Sequence, residues 1–573
     1  MTSAVARPGD LNGRAPGAAA WLRALPAERV VVLTLVIVLT LLVIVPLVAV
    51  MLAGLDDRDG LSLRHLLATL GRTKVILNTV LVGAGSTALA VAIGGTLAIV
   101  LIRINTPGRL VLEPLMSLPL YITPLLTAIA WSWLGSPRGG LINKFGREVL
   151  GIADQLINLH SATGVVVVTA LAYVPLPFLL IGSALRGMDP SLEDSARVHG
   201  ATPFQAFRRV TVPLILPAAL GSGLLVFVQA IGMFSVPAVL GMPSDFYVAT
   251  TEIYRLLDNY PPRVAQAASW GLVLLAVTAV LIALQGIILN QRSFITITGK
   301  AFRPRLVGLG RVRYALAGLA WLYIALAVLL PVATLLWAAS ISFLTVDFSQ
   351  MEFSLKHFHF VLFQYPKTYL AMQNSMLLGI ATATLVCALG LAISWVVIRT
   401  RGRARLYLDQ VSMFPLSTPA MVFALGLLWV YVGFRLLPIY GTIWILLVAY
   451  VTHYLPFGVR AATGALRQLH PELEDAARVS GASWLKMIRY VTFPLTRPTL
   501  AAVWTLLFIL SMQEVSSSIL LYSSRSIVLS VVVFDLWEVG NANGLAALSV
   551  LQLAVTFVAI LILIRARHRE VVS

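Results

Sequence analysis

The stretch Leu192-Glu193-Asp194-Ser195-Ala196-Arg197-Val198-His199-Gly200-Ala201, closed by Pro213 and Pro217, occurs twice in this chain. Its second copy lies 281 residues on, as Leu473-Glu474-Asp475-Ala476-Ala477-Arg478-Val479-Ser480-Gly481-Ala482, closed by Pro494 and Pro498. Between Pro190–Pro217 and Pro471–Pro498, 15 of 28 positions are identical, which marks an internal duplication. Each copy predicts a short helix: acids in its first turn suit the helix dipole, small residues let it lie close to a surface, and glycine turns the chain out. A single such loop could simply join two membrane helices through solvent. Two matched copies read instead as equivalent handles offered to a soluble partner.

The sequence around these loops is that of a membrane protein. Of 573 residues, 59% are hydrophobic and 12% charged, and mean hydropathy is +0.89. Apolar runs lie near 30–53, 75–102, 112–134, 163–187, 212–240 and 265–289, then near 314–340, 373–398, 410–434, 441–463, 494–522 and 543–564. At 1.5 Å rise per residue each is long enough to cross a core of roughly 30 Å. The chain is therefore expected to be an all-α integral membrane protein, with about twelve transmembrane helices in two homologous six-helix halves, 30–289 and 314–573. With the N-terminus inside, cytoplasmic segments hold 29 of the 42 Lys and Arg residues, and the reverse orientation would break the positive-inside rule. Both duplicated loops and both termini are then cytoplasmic. Residues 1–29 read as a disordered cytoplasmic tail rather than a removed signal peptide. Residues 290–313, with Arg292, Lys300, Arg303, Arg305, Arg311 and Arg313, read as a basic cytoplasmic linker, open also to contact with anionic lipid. The net charge of +18 is spread over such loops, which argues against nucleic acid as a partner. Asn78–Arg103 aligns with Asn374–Arg399 at an offset of 296, so about fifteen extra residues are expected in the first half, near Ser136–Ser161.

The paired loops resemble the EAA loops of permease subunits of bacterial ABC importers, in which an acidic-Ala-Ala run is followed by glycine and a proline-spaced apolar helix. The first copy departs in having Ser195 where the second has Ala476. The resemblance implies a type I ABC importer permease fold in the bacterial inner membrane. It also implies that Glu193, Asp194, Ser195, Ala196, Gly200 and Ala201, with Glu474, Asp475, Ala476, Ala477, Gly481 and Ala482, couple to two copies of an ATPase subunit. A periplasmic binding protein would deliver the substrate. Two fused halves, and the segment Gln513–Leu521, are similar to the ferric-iron permeases of the Fbp/Sfu type; related fused chains serve thiamine and 2-aminoethylphosphonate. No phosphate-binding G-x-x-x-x-G-K-[ST] loop occurs, so ATP and Mg would be held by the partner and no cofactor or enzymatic activity is expected here.

Glu514 is an acid inside an apolar run, a costly placement, and with Gln513 and Ser516 it is a candidate for the substrate pathway. It could equally pair with an arginine at a helix end or lie near the outer face. Its mate in the first half is Met233. That one-sidedness counts against the competing class, a secondary transporter driven by an ion gradient. Prolines 119, 124, 175, 177, 237, 415, 419 and 456 fall inside or at the ends of spans, as in broken pathway helices or in plain packing kinks. Outside loops carry Asp245, Tyr247, Glu252, Tyr254, Asp258, Tyr260 and the pair His357 and His359, the latter on one face of an extended segment. These are hard-metal donors by type, or an ordinary interfacial belt.

Overall fold

The computed structural model describes residues 27–57, 60–137, 139–152, 154–290, 306–342, 352–433 and 438–572. The tail through residue 26 and most of the basic linker, 291–305, lie outside them. Among the described residues, nine helices are long and apolar enough to cross a membrane, and three bent helix pairs raise the number to as many as twelve. Six fall in each half, as the apolar runs predict.

Several spans are not the straight rods that those runs suggest. Arg109–Tyr121 meets Pro124–Gly135 at 93°, and Arg403–Ser417 meets Ala420–Val432 at 108°. Pro119 and Pro124, and Pro415 and Pro419, cause the bends, because proline donates no hydrogen bond and its ring clashes with the preceding turn. A turn of 3₁₀ helix, Leu118–Tyr121 or Phe414–Ser417, leads into each break. The runs 212–240 and 494–522 are interrupted too: their long helices stop at Gly232 and Met512.

Other prolines are accommodated without a break. Pro46, Pro213, Pro331 and Pro494 each follow a five-residue π-helical turn: Thr40–Ile44, Phe207–Thr211, Ala325–Leu329 and Ile488–Thr492. The wider turn gives room to the pyrrolidine ring where an α-helix would present a carbonyl. Pro213 and Pro494 are the residues that close the two copies of the duplicated loop, so the repeat encodes a bulge as well as a turn.

Glycine permits close helix crossings at matching places in the two halves. A Cβ on Gly94, in Thr73–Arg103, would lie 2.6 Å from the Val174 carbonyl oxygen. One on Gly390, in Pro366–Arg399, would lie 2.6 Å from the Gly458 carbonyl carbon. The extra residues of the first half form the Leu141–Glu148 helix, pinned by buried Asn143, whose amide bonds Ser136 O (2.9 Å), Ile157 O (2.6 Å) and Ile157 N (2.9 Å).

The halves exchange their first helices. Arg29–Leu55 packs along Ala420–Gly433 of the second half, and Leu330–Ala339 packs on Pro124–Gly135 of the first. Thr452 Oγ1 donates to Leu42 O (3.3 Å), and Tyr323 Oη donates to Leu171 O (3.2 Å). Gly426 lies so close to Pro46 that a Cβ there would meet the Pro46 carbonyl oxygen at 2.2 Å. The two halves are thus interlocked rather than merely adjacent.

Candidate functional site

Both copies of the duplicated loop fold alike. Ser191–Val198 and Glu472–Val479 are two-turn helices. Each ends in a Schellman motif: Gly200 N–H donates to Arg197 O and Ala201 N–H to Ala196 O, as Gly481 does to Arg478 O and Ala482 to Ala477 O. Gly200 and Gly481 have φ of +88° and +81°, the left-handed conformation that glycine adopts without strain. A Cβ on either would meet nothing, so backbone conformation and not crowding within this chain selects glycine.

The acids do more than complement a dipole. Glu474 is buried, accepting hydrogen bonds from Arg399 Nε (3.0 Å), Thr492 Oγ1 (3.1 Å) and Trp395 Nε1 (3.3 Å). Glu193 pairs with Arg103 and accepts from Thr211. Arg103 and Arg399 are the last residues of the long helices Thr73–Arg103 and Pro366–Arg399, so each loop helix is tied by an ion pair to the end of a membrane helix. The arginines match at offset 296 and the Glu and Thr at 281, which makes the Arg-Glu-Thr clasp part of the duplication. The second clasp is fuller. Trp395 has no counterpart in the first half, where Ile99 stands, and Trp395 stacks edge-on against Trp484 at 5.3 Å. Sequence reading missed the clasps; the terminal arginine shared by the aligned long helices was the available signal.

Asp475 and Ala476 are exposed on the second helix, Ser195 on the first, and Asp194, Ala196, Ala201, Ala477 and Ala482 are half-buried. Apolar side chains also point to solvent at equivalent places: Leu192 with Leu473, Val198 with Val479 (85% and 90% exposed), and Phe204 with Leu485.

The breaks in the helices converge on one cavity of about 290 Å³ between the halves. It is lined by the bends at Pro119–Pro124 and Pro419–Ala420, by the two helix ends at Gly232–Met233 and Gln513–Ser516, and by Tyr173, His453 and Tyr454 from the intervening helices. The candidate pathway residues Gln513, Glu514 and Ser516 therefore share one wall. Glu514 is buried rather than at the surface, and among the described residues no arginine pairs with it: Oε2 accepts from Tyr454 Oη (2.8 Å), and Oε1 from Ser517 N (3.0 Å) and Ser517 Oγ (3.1 Å). Tyr173 and Tyr454, at equivalent positions, reach the equivalent carbonyls of Gln229 (3.3 Å) and Leu510 (3.0 Å) near the helix ends.

Residues 90–293 and 375–570 each match the profile of the family described as "Binding-protein-dependent transport system inner membrane component". The chain belongs to that family. It carries the family's domain twice, and it is a multi-pass inner-membrane transport component. The ferric transport system permease protein FbpB of Actinobacillus pleuropneumoniae is 27% identical over 431 residues, covering 74% of this chain and 61% of that protein. A ferric transport permease FbpB 1 of Haemophilus influenzae is likewise 27% identical, over 71% of this chain and 63% of its own length. The chain thus spans about three-fifths of the length of these relatives. The spermidine/putrescine permease PotC of Escherichia coli (strain K12) is 28% identical over 33% of this chain and 71% of its own length. A bacterial alginate ABC transporter bound to its periplasmic protein has a chain that aligns with 44% of this one, covering 90% of its own length at 21% identity and a TM-score of 0.38.

The remaining candidates of this transport component sit at the ends of its helices. Glu252 is buried and held by Arg72 and Arg255, which raises the guanidinium of Arg255 above its ordinary range. Tyr254 Oη donates to Glu538 Oε1 (3.0 Å), bringing the two halves together beside an open pocket of about 680 Å³ that Asp258 also lines. Burial, with the charges of Asp258 and Asp535, raises Glu538 above the usual carboxylate range, while the Tyr254 hydrogen bond opposes it. Asp245 adopts the left-handed conformation and Tyr260 is fully exposed. His357 and His359 lie in the helix Lys356–His359, not in an extended segment, so residues two apart no longer share a face. His357 Nε2 bonds Ser342 O (3.0 Å). Among the described residues, no three His, Cys, Asp or Glu side chains are grouped to hold a metal.

Proposed function

We propose that this chain is the permease subunit of a type I ABC importer, that Ser191–Val198 and Glu472–Val479 are its coupling helices, and that its substrate is ferric iron. The observation that carries the reading is the duplicated surface: two glycine-ended helices, each clasped to a membrane helix, each presenting exposed apolar residues at matched positions. An exposed valine at a helix end costs little, but the same three apolar positions exposed twice suit two copies of one partner. In this reading both helices face the cytoplasm, as the Lys and Arg distribution predicts, and each docks on an ATPase subunit that supplies ATP and Mg.

ATP-driven closure of the ATPase pair would draw the coupling helices together. The Arg103–Glu193 and Arg399–Glu474 clasps would pass that movement to the long membrane helices, and the cavity between the halves would exchange its opening from one side to the other. A periplasmic binding protein would load it from outside. The two ferric permease relatives support iron as substrate; thiamine and 2-aminoethylphosphonate are the next solutes to assay. An ion-gradient transporter is disfavoured because Glu514 has no acidic mate, Met233 standing in its place.

The test is uptake of labelled ferric iron by cells expressing this chain with its ATPase and binding protein. Uptake is expected to vanish with the permease removed or with an ATPase-dead partner. A stable complex that imports no iron would overturn the substrate, and uptake indifferent to the ATPase would overturn the importer class.

A further inference from the structure

The cavity between the halves has an uncompensated chemistry. Among the described residues no lysine or arginine lines it, and Glu514 is the sole acid in its wall. A carboxylate among apolar helices is expensive unless something balances it, and among the described residues no basic side chain pairs with Glu514. Its three hydrogen bonds come from neutral donors, a phenol, a hydroxyl and a backbone N–H, which satisfy its oxygens but bring no positive charge to it. The phenol is divided: Tyr454 has one proton, and its oxygen lies 2.8 Å from Glu514 Oε2 and 3.0 Å from Leu510 O.

Beside it, His453 lines the same cavity, its Nδ1 enclosed and without a hydrogen-bond partner. Neither group is duplicated: at the equivalent offset the first half has Met233 for Glu514 and Ala172 for His453. The repeat keeps the tyrosines and the helix breaks on both sides, and places charge and a free ring nitrogen on one side only.

We propose that this cavity is a one-sided waypoint for a cation, with the Glu514 carboxylate as its charged ligand and the His453 imidazole as a neutral one, its Nδ1 turning out of the enclosed position it holds here to reach the cavity. The inference rests on the importer reading above. One carboxylate and one imidazole are too few to strip a metal ion of its other ligands, so the cation passes with part of its own shell, or is an organic ammonium ion. Weak, incomplete coordination suits a pathway, where binding must be strong enough to admit and weak enough to release. The aromatic and carboxamide remainder of the wall, Tyr173, Phe457, Gln229 and Gln513, can solvate either kind of cation.

The experiment uses the complete complex of this chain with its ATPase and binding protein in proteoliposomes. One arm offers ⁵⁵Fe³⁺ and a second offers radiolabelled putrescine, and ATPase stimulation by the loaded binding protein is read in parallel. Glu514→Gln is expected to cut uptake at least ten-fold while stimulated ATPase stays within two-fold of the native complex; Glu514→Asp keeps part of the transport and His453→Gln loses several-fold. Import of iron identifies a metal cation and import of putrescine an organic one. Native-rate uptake by Glu514→Gln overturns the waypoint, as does import of neither cation by a native complex whose ATPase responds. A native complex whose ATPase ignores its binding protein refutes the importer reading itself, which is a different result.

Discussion

Replacing Glu474 by Gln tests whether the proposed coupling helix Glu472–Val479 is held by its ion pair. The substitution preserves shape and leaves one acceptor oxygen, for Thr492 or for Trp395, which bond different oxygens of Glu474, and it removes the countercharge of Arg399, whose side chain is only 12% exposed. Breaking one partner of a buried pair costs about 3–5 kcal/mol. The low end applies, because Arg399 Nη2 keeps its bond to Leu469 O (3.0 Å) and an edge of its side chain reaches solvent. About 3 kcal/mol, at about 1.4 kcal/mol per decade, is a change of roughly 100-fold in local opening. Amide hydrogen exchange across residues 472–482 should therefore accelerate by about two orders of magnitude. The stretch 191–201, held by its own clasp, serves as the internal control and should not change. If exchange in 472–482 matches the native protein, Glu474 does not anchor this helix, and the proposed route from coupling helix to membrane helix fails with it.

Gly481→Ala should destabilise the loop by about 1–2 kcal/mol through backbone strain alone, since no atom stands near the added Cβ; thermal unfolding in detergent measures it, and a neutral result would refute the strain argument. Gly481→Glu or Gly200→Glu should go further and uncouple transport from ATP hydrolysis, or detach the ATPase, and normal transport in both would sink the coupling assignment. Gly390→Val and Gly94→Val should sharply lower the yield of monodisperse protein on size-exclusion, because each side chain would overlap a neighbouring backbone. His160, beside Ser132 Oγ at 2.8 Å, has its pKa lowered from 6.5 by burial. The unfolded chain thus takes up a proton first, so this contribution to stability is full above pH 6.5 and is lost as pH falls below it. His160→Gln should flatten the decline of melting temperature between about pH 7 and 5, and an unchanged slope would show that His160 is not its source.

Much of this protein is written locally. Apolar runs long enough to cross a bilayer fix an all-helical membrane fold with six spans per half, and the recurrence of one ten-residue loop fixes the duplication and points to the place of the proposed contact surface. The offset change from 296 to 281 located the added helix Leu141–Glu148. Glycine at 200 and 481 announced the left-handed turn, because no other residue adopts it so cheaply. Proline marked where helices are perturbed, but not how: Pro119 and Pro415 stand at near right-angled bends, whereas Pro213 and Pro494 are absorbed by a π-helical turn. Whether freed backbone groups find new partners depends on neighbours far along the chain.

Tertiary structure decided everything that depends on such distant partners. Glu474 looked like an acid suited to a helix dipole until Arg399, 75 residues away, was found against it. Glu514 was a lone acid in an apolar run, and only the packing shows that Tyr454, Ser517 and His453 surround it in a cavity made by breaks from both halves. The exchange of first helices between halves has no sequence mark at all, because an apolar helix reads the same whichever apolar surface it meets.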